Sequence, residues 1–164
     1  LVLPTAYSAI TDVFEPLIRE TAFDAVLLIG VAARRRMLSV EVRAVNRVSR
    51  LFPDASGRVG ARLTYDRHGP FQRRASVEPG RILRAIRSKG GRARLSIDAG
   101  RYLCNATYYA ALTPRVPRAI FVHVPLPRRG ARDGRPSLRE MERALRAAAL
   151  ALLPSSDLPR ARRR

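Results

Sequence analysis

Two short apolar runs limit the fold most strongly. Asp24-Ala-Val-Leu-Leu-Ile-Gly30 and Ala119-Ile-Phe-Val-His-Val124 are apolar almost throughout. Both are too short for an ordinary helix, and continuous apolar strands mark a sheet covered on both faces. The first run ends in Gly30, and the second is stopped by Pro125 and Pro127, which cannot donate to a ladder. A third segment, Leu38 to Val45, alternates instead. Leu38, Val40 and Val42 face one way, and Ser39, Glu41 and Arg43 the other. Arg92 to Ile97 reads as a further strand.

Helical patterns fill the intervals. Ser8 to Thr21 sets Ile10, Val13, Phe14, Leu17 and Ile18 on one face, with Pro16 removing a donor in the middle. Val77 to Ser88 carries a stripe of Ile82, Leu83 and Ile86, and Gly90-Gly91 stops it. After the turn Asp98-Ala-Gly100, a helix opens close to Cys104. Ser137-Leu-Arg-Glu140 is a capping box ahead of an amphipathic helix, Leu138 to Leu153, which Pro154 ends. From Asn46 to Gln72 no period holds, so that stretch reads as loop. Strands alternating with helices predict an α/β fold, a three-layer α/β/α sandwich on a mostly parallel, twisted sheet. The 164 residues suit one domain, 1–153, with a Pro- and Arg-rich tail, 154–164, expected to be disordered.

Charge raises a different partner. Lys and Arg number 32 against 13 Asp and Glu, a formal net charge of +19, and such an excess can bind polyanions by counterion release. The arginines are scattered, however, and cluster only at Arg34-Arg35-Arg36 and in the last five residues. Zinc-finger spacing and a Gly-bracketed aromatic strand are both absent. A solvated basic surface is therefore favoured over nucleic-acid binding. The single cysteine excludes an internal disulfide and a multi-cysteine metal site, so a reducing, cytoplasmic setting is expected. No apolar run is long enough to span a membrane, and no signal-peptide pattern opens the chain. Because it begins with Leu1 rather than Met, an earlier segment is expected.

In open α/β sheets, ligands bind beyond the carboxyl ends of the strands. His123 lies near the end of its strand, and Cys104 opens a helix just after another. A helix N-terminus offers positive partial charge and unpaired N–H groups, which favour a thiolate and can hold an oxyanion. An adjacent imidazole can take the thiol proton and hand it to a leaving amine. A carboxylate can fix that imidazole's tautomer, and Glu41 is the candidate on the polar side of its strand. Each has an ordinary alternative. A lone cysteine is usually a small core residue, a strand histidine a hydrogen-bonded one, and a strand glutamate an arginine's partner. His68, in Asp66-Arg-His-Gly-Pro70, reads as a loop histidine without chemistry.

Three motifs in order add weight. Leu38-Ser-Val-Glu-Val-Arg-Ala-Val-Asn46, Asp98-Ala-Gly-Arg-Tyr-Leu-Cys-Asn105 and Phe121-Val-His-Val-Pro125 resemble the segments around the glutamate, cysteine and histidine of the pyroglutamyl-peptidase I family of cysteine peptidases. Leu3-Pro4 and Asp24-Ala-Val-Leu-Leu-Ile-Gly-Val-Ala32 are similar to two further family segments. The resemblance implies Glu41, Cys104 and His123 as catalytic residues. It also implies a phosphorylase/hydrolase-like α/β/α fold and no metal or organic cofactor. The implied reaction is removal of N-terminal pyroglutamate from peptides through a thioester acyl-enzyme. Both a monomer and a homo-oligomer remain open.

Departures accompany the match. The family's opening strand and its Gly-Phe-Glu-Pro-Phe loop, expected before Leu3, are absent, so the sheet is expected to lack its N-terminal strand. Arg34 stands where the family has Gly, while Arg35 holds the family's arginine place. A further family arginine falls on Leu51. A catalytically weak relative is the alternative reading.

Overall fold

The computed structural model describes residues 1–130 and 133–154. Beyond Pro154, the predicted disordered tail lies outside the described residues. Helices α1 (Tyr7–Ala9) and α2 (Glu15–Glu20) run on through a π-helical stretch, Ile10–Phe14, as one rod. Its wide turn has a local cause. Pro16 cannot donate and its ring crowds the preceding turn, and immediately before it the Glu15 N–H bonds Ile10 O, one residue further back than in an α-helix.

The strands are β1 (Val26–Val31), β2 (Leu38–Glu41), β3 (Arg43–Val45), β4 (Gln72–Arg74), β5 (Ala93–Ser96) and β6 (Ala119–Val124). Four of them form one sheet in the order β1-β6-β2-β5. β1 pairs parallel with β6 and β2 parallel with β5, while β2 and β6 meet antiparallel. The sheet is thus mostly parallel, with one antiparallel seam at its centre.

Alternation along β6 sorts side chains onto two cores. Ala119 and Phe121 face a layer containing Ile10, Phe14, Ile18 and helix α4 (Leu103–Ala111). Ile120, Val122 and Val124 face α3 (Pro79–Ser88) and α5 (Leu138–Leu152). Leu38 and Val40 of β2 join this second core, which leaves Ser39 and Glu41 on the α4 side. Ile82 and Ile86 of α3 are fully buried, each contributing roughly 1.5–3 kcal/mol by leaving water. In α5 the capping box is realised, with Ser137 N donating to Glu140 Oε2 and Glu140 N to Ser137 Oγ. Met141, Ala144, Ala148 and Leu152 form its buried stripe.

Two expectations need correction. The run at β1 is not covered on both faces, since Ile29 and Val31 are 51% and 63% exposed. Among the described residues β1 lies at a sheet edge, so its apolar character does not translate into full burial. Leu38 to Val45 is also not one strand. At Val42 the N–H goes to Ser96 O and the carbonyl accepts from Ala75 N, after which the chain pairs with β4 as a separate two-stranded sheet.

Candidate active site

Three adjacent strands bring one row of positions together on the α4 face. Gly30 of β1 and Ser39 of β2 both lie in register with His123 of β6. Glu41 is in register with Phe121, so His123 is its diagonal neighbour. Diagonal positions are roughly 7–8 Å apart, within reach of a long side chain. Glu41 spans the gap, and its Oε1 lies 2.8 Å from His123 Nδ1. A carboxylate only accepts, so Nδ1 carries a hydrogen, and in the neutral imidazole Nε2 is then the acceptor. Glu41 is wholly buried and His123 is 5% exposed. The Phe121 ring packs on the imidazole with centroids 4.7 Å apart.

Cys104 is the second residue of α4, a half-buried free thiol. Its sulfur sits against Gly30. A Cβ added there would stand 2.9 Å from Sγ and 2.7 Å from Phe121 Cζ. Only glycine lets the helix start and the Phe121 ring approach β1 so closely beside His123. The expectation that the helix N-terminus would favour a thiolate is only half met. Burial pushes the thiol up from its ordinary value, and the Glu41 charge adds to this. The Cys104 N–H and the Arg35 charge act in the opposite direction and do not prevail. Burial thus works against the thiolate, and the sulfur calls for a base to take its proton.

The surroundings fasten these elements to one another. The buried Tyr108 hydroxyl, on α4, donates to Glu41 O at 3.0 Å, and burial raises its ionisation so that it stays a donor. Asn105, fully buried beside Cys104, accepts from Val45 N and donates to Val45 O and Arg47 O. The helix start is thereby tied to β3. Arg35 Nη1 donates to Glu41 Oε1 at 2.6 Å and Arg35 Nη2 to Asp98 O at 2.8 Å. Sequence reasoning gave Gly30, Arg35, Asn105 and Tyr108 no role in the site. The one available signal was that Gly30, Arg35 and Asn105 sit at positions shared with the family segments.

Other candidates fall elsewhere. His68 is an exposed loop residue whose N–H bonds Asp66 Oδ1, as its sequence context predicts. Leu51 is 83% exposed. Among the described residues no group of three or more His, Cys, Asp or Glu side chains is placed to hold a metal ion. No described helix is long and apolar enough to cross a membrane.

Known proteins resemble this chain in sequence and fold. The family described as "Pyroglutamyl peptidase" matches residues 1–154. The pyrrolidone-carboxylate peptidase of Thermococcus kodakarensis is 31% identical over 142 residues, 83% of this chain and 69% of that protein. The one from Chromobacterium violaceum is 30% identical over 123 residues, 75% of this chain and 59% of that protein. The crystal structure of the pyrrolidone carboxyl peptidase from Thermus thermophilus superposes with a TM-score of 0.80 at 33% identity, covering 90% of this chain and 79% of that one. The chain spans about two thirds of the length of these curated relatives.

Proposed function

The chain belongs to the pyroglutamyl peptidase family, and from that premise we propose that it removes N-terminal pyroglutamyl residues from peptides, with Cys104 as nucleophile, His123 as base and Glu41 as the group that orients the base. The observation that carries this reading is the Glu41–His123 hydrogen bond on the sheet face where the Cys104 sulfur rests against Gly30, the register neighbour of His123.

The chemistry follows from the protonation states. His123 Nε2 takes the Cys104 proton as Sγ attacks the pyroglutamyl carbonyl. N–H groups at the start of α4 stabilise the oxyanion. Collapse breaks the C–N bond, and the imidazolium gives its proton to the leaving amine. Water, deprotonated by His123, then hydrolyses the thioester, releasing pyroglutamate and restoring the thiol. Burial disfavours the free thiolate, so the attack relies on His123 to take the thiol proton. A lone free thiol suits a reducing compartment, and the cytoplasm is the proposed location.

The test is hydrolysis of L-pyroglutamyl p-nitroanilide beside the prolyl and glutaminyl analogues. Release of nitroaniline from the first alone supports the reading. Equal turnover of the prolyl compound, or none of any, counts against it.

A further inference from the structure

Resting on that reading, we infer that Arg35 is a positioning residue of the site, a permanent cation that acts on His123 and Cys104 through Glu41 and through the turn before α4. Three observations carry it. First, one carboxylate oxygen, Glu41 Oε1, receives both Arg35 Nη1 at 2.6 Å and His123 Nδ1 at 2.8 Å. Second, Glu41 is wholly buried, and a buried carboxylate without a paired cation is strongly destabilising. Third, Arg35 Nη2 bonds Asp98 O in the β5–α4 turn, whose form is set by Gly100 N donating to Asp98 Oδ1.

The planar guanidinium fork therefore joins the β1–β2 loop, the end of β2 and the approach to Cys104. A lysine ammonium, a point charge, is poorly shaped to hold both acceptors. Without the fork, the Glu41 carboxylate is free to turn away from Nδ1, and the imidazole loses the contact that keeps its other nitrogen towards the sulfur. Loss of the Arg35 charge leaves the Glu41 charge unopposed beside Cys104, which disfavours the thiolate, so the pH at which Cys104 becomes reactive should rise.

The test compares Arg35→Gln, Arg35→Lys and the exposed neighbour Arg36→Ala with the wild type. Cys104 alkylation by iodoacetamide is followed against pH, which needs no turnover. The kcat and KM for pyroglutamyl p-nitroanilide are measured alongside. Arg35→Gln is expected to move the alkylation midpoint up by about one pH unit. It should lower kcat roughly 10–100-fold, as loss of an outer hydrogen-bond partner does, with KM little changed. Arg35→Lys should keep the midpoint near the wild-type value while losing most of kcat. A wild-type midpoint and kcat in Arg35→Gln would overturn the assignment. Should that variant fail to fold, a wild-type kcat in Arg35→Lys would do so. An inactive wild type sinks the peptidase reading instead, and the alkylation profiles still judge Arg35.

Discussion

Glu41 and His123 are diagonal partners across an antiparallel seam, not opposed ones. Glu41 lies in register with Phe121, yet its carboxylate reaches His123 Nδ1 at 2.8 Å. Side-chain length is therefore part of the site. Glu41→Asp is one methylene too short for the reach, and Glu41→Gln keeps the length but loses the charge. Both should lower kcat on the pyroglutamyl anilide by roughly 10²-fold or more, the scale of acid–base catalysis. Steady-state kinetics at saturating substrate reads this, and a wild-type kcat in Glu41→Asp would show that the diagonal contact is idle.

Gly30 tests the close approach of Cys104 and Phe121. Gly30→Ala would place its methyl within 3 Å of both side chains. Phe121 is 3% exposed, with little space to retreat. Overpacking of this kind costs about 1–3 kcal/mol, and the helix start should be displaced from His123. Denaturant titration gives the first quantity and anilide hydrolysis the second. Unchanged activity would mean that the sulfur need not rest where it does.

Asn105 tests how the helix start is anchored. Asn105→Ala leaves Val45 N, Val45 O and Arg47 O without their partner. A fully buried unpaired group costs about 1–3 kcal/mol, and because Val45 is half-buried and Arg47 exposed, a loss of at least about 1 kcal/mol is expected in urea unfolding. A loss under about 1 kcal/mol would show that water replaces the amide at no cost.

Much of this was legible in the chain, for physical reasons that also explain what was not. The α5 capping box is a local code, and it reads directly as Ser137 bonded to Glu140. The alternation at Leu38–Glu41 assigned Glu41 to the polar side, and the structure puts it on the face shared with His123. The break at Val42 had no local signal, because it is enforced by Ser96 and Ala75, far along the chain. Strand β4, Gln-Arg-Arg, has no apolar pattern and exists through backbone pairing with β3. Edge position, which exposes Ile29 and Val31, is a property of the assembled sheet. Arg35 was marked by the family's arginine place but not by any role, and only the fold brings it to Glu41.

Asp54 makes a prediction about acid stability. Its carboxylate is held down at about 2 by the Ser56 hydroxyl first, and also by the Tyr7, Arg58 and Ser56 N–H groups, against an ordinary 3.8. A depressed carboxylate stabilises the fold fully above its unfolded value, and that contribution fades as pH falls towards the folded one. The stability advantage of the wild type over Asp54→Asn should thus be constant above pH 3.8 and shrink as pH falls to about 2. Urea midpoints at a series of pH values measure it, and a pH-independent difference would contradict the assignment.

The central claim is that the Cys104 sulfur is the attacking atom. The direct measurement is residual hydrolysis of pyroglutamyl p-nitroanilide against the fraction of Cys104 alkylated, with the modified site mapped by peptide mass spectrometry. The account predicts activity falling in proportion to alkylation and reaching zero at full modification, with substrate slowing both. Undiminished turnover by protein fully alkylated at Cys104 would contradict it.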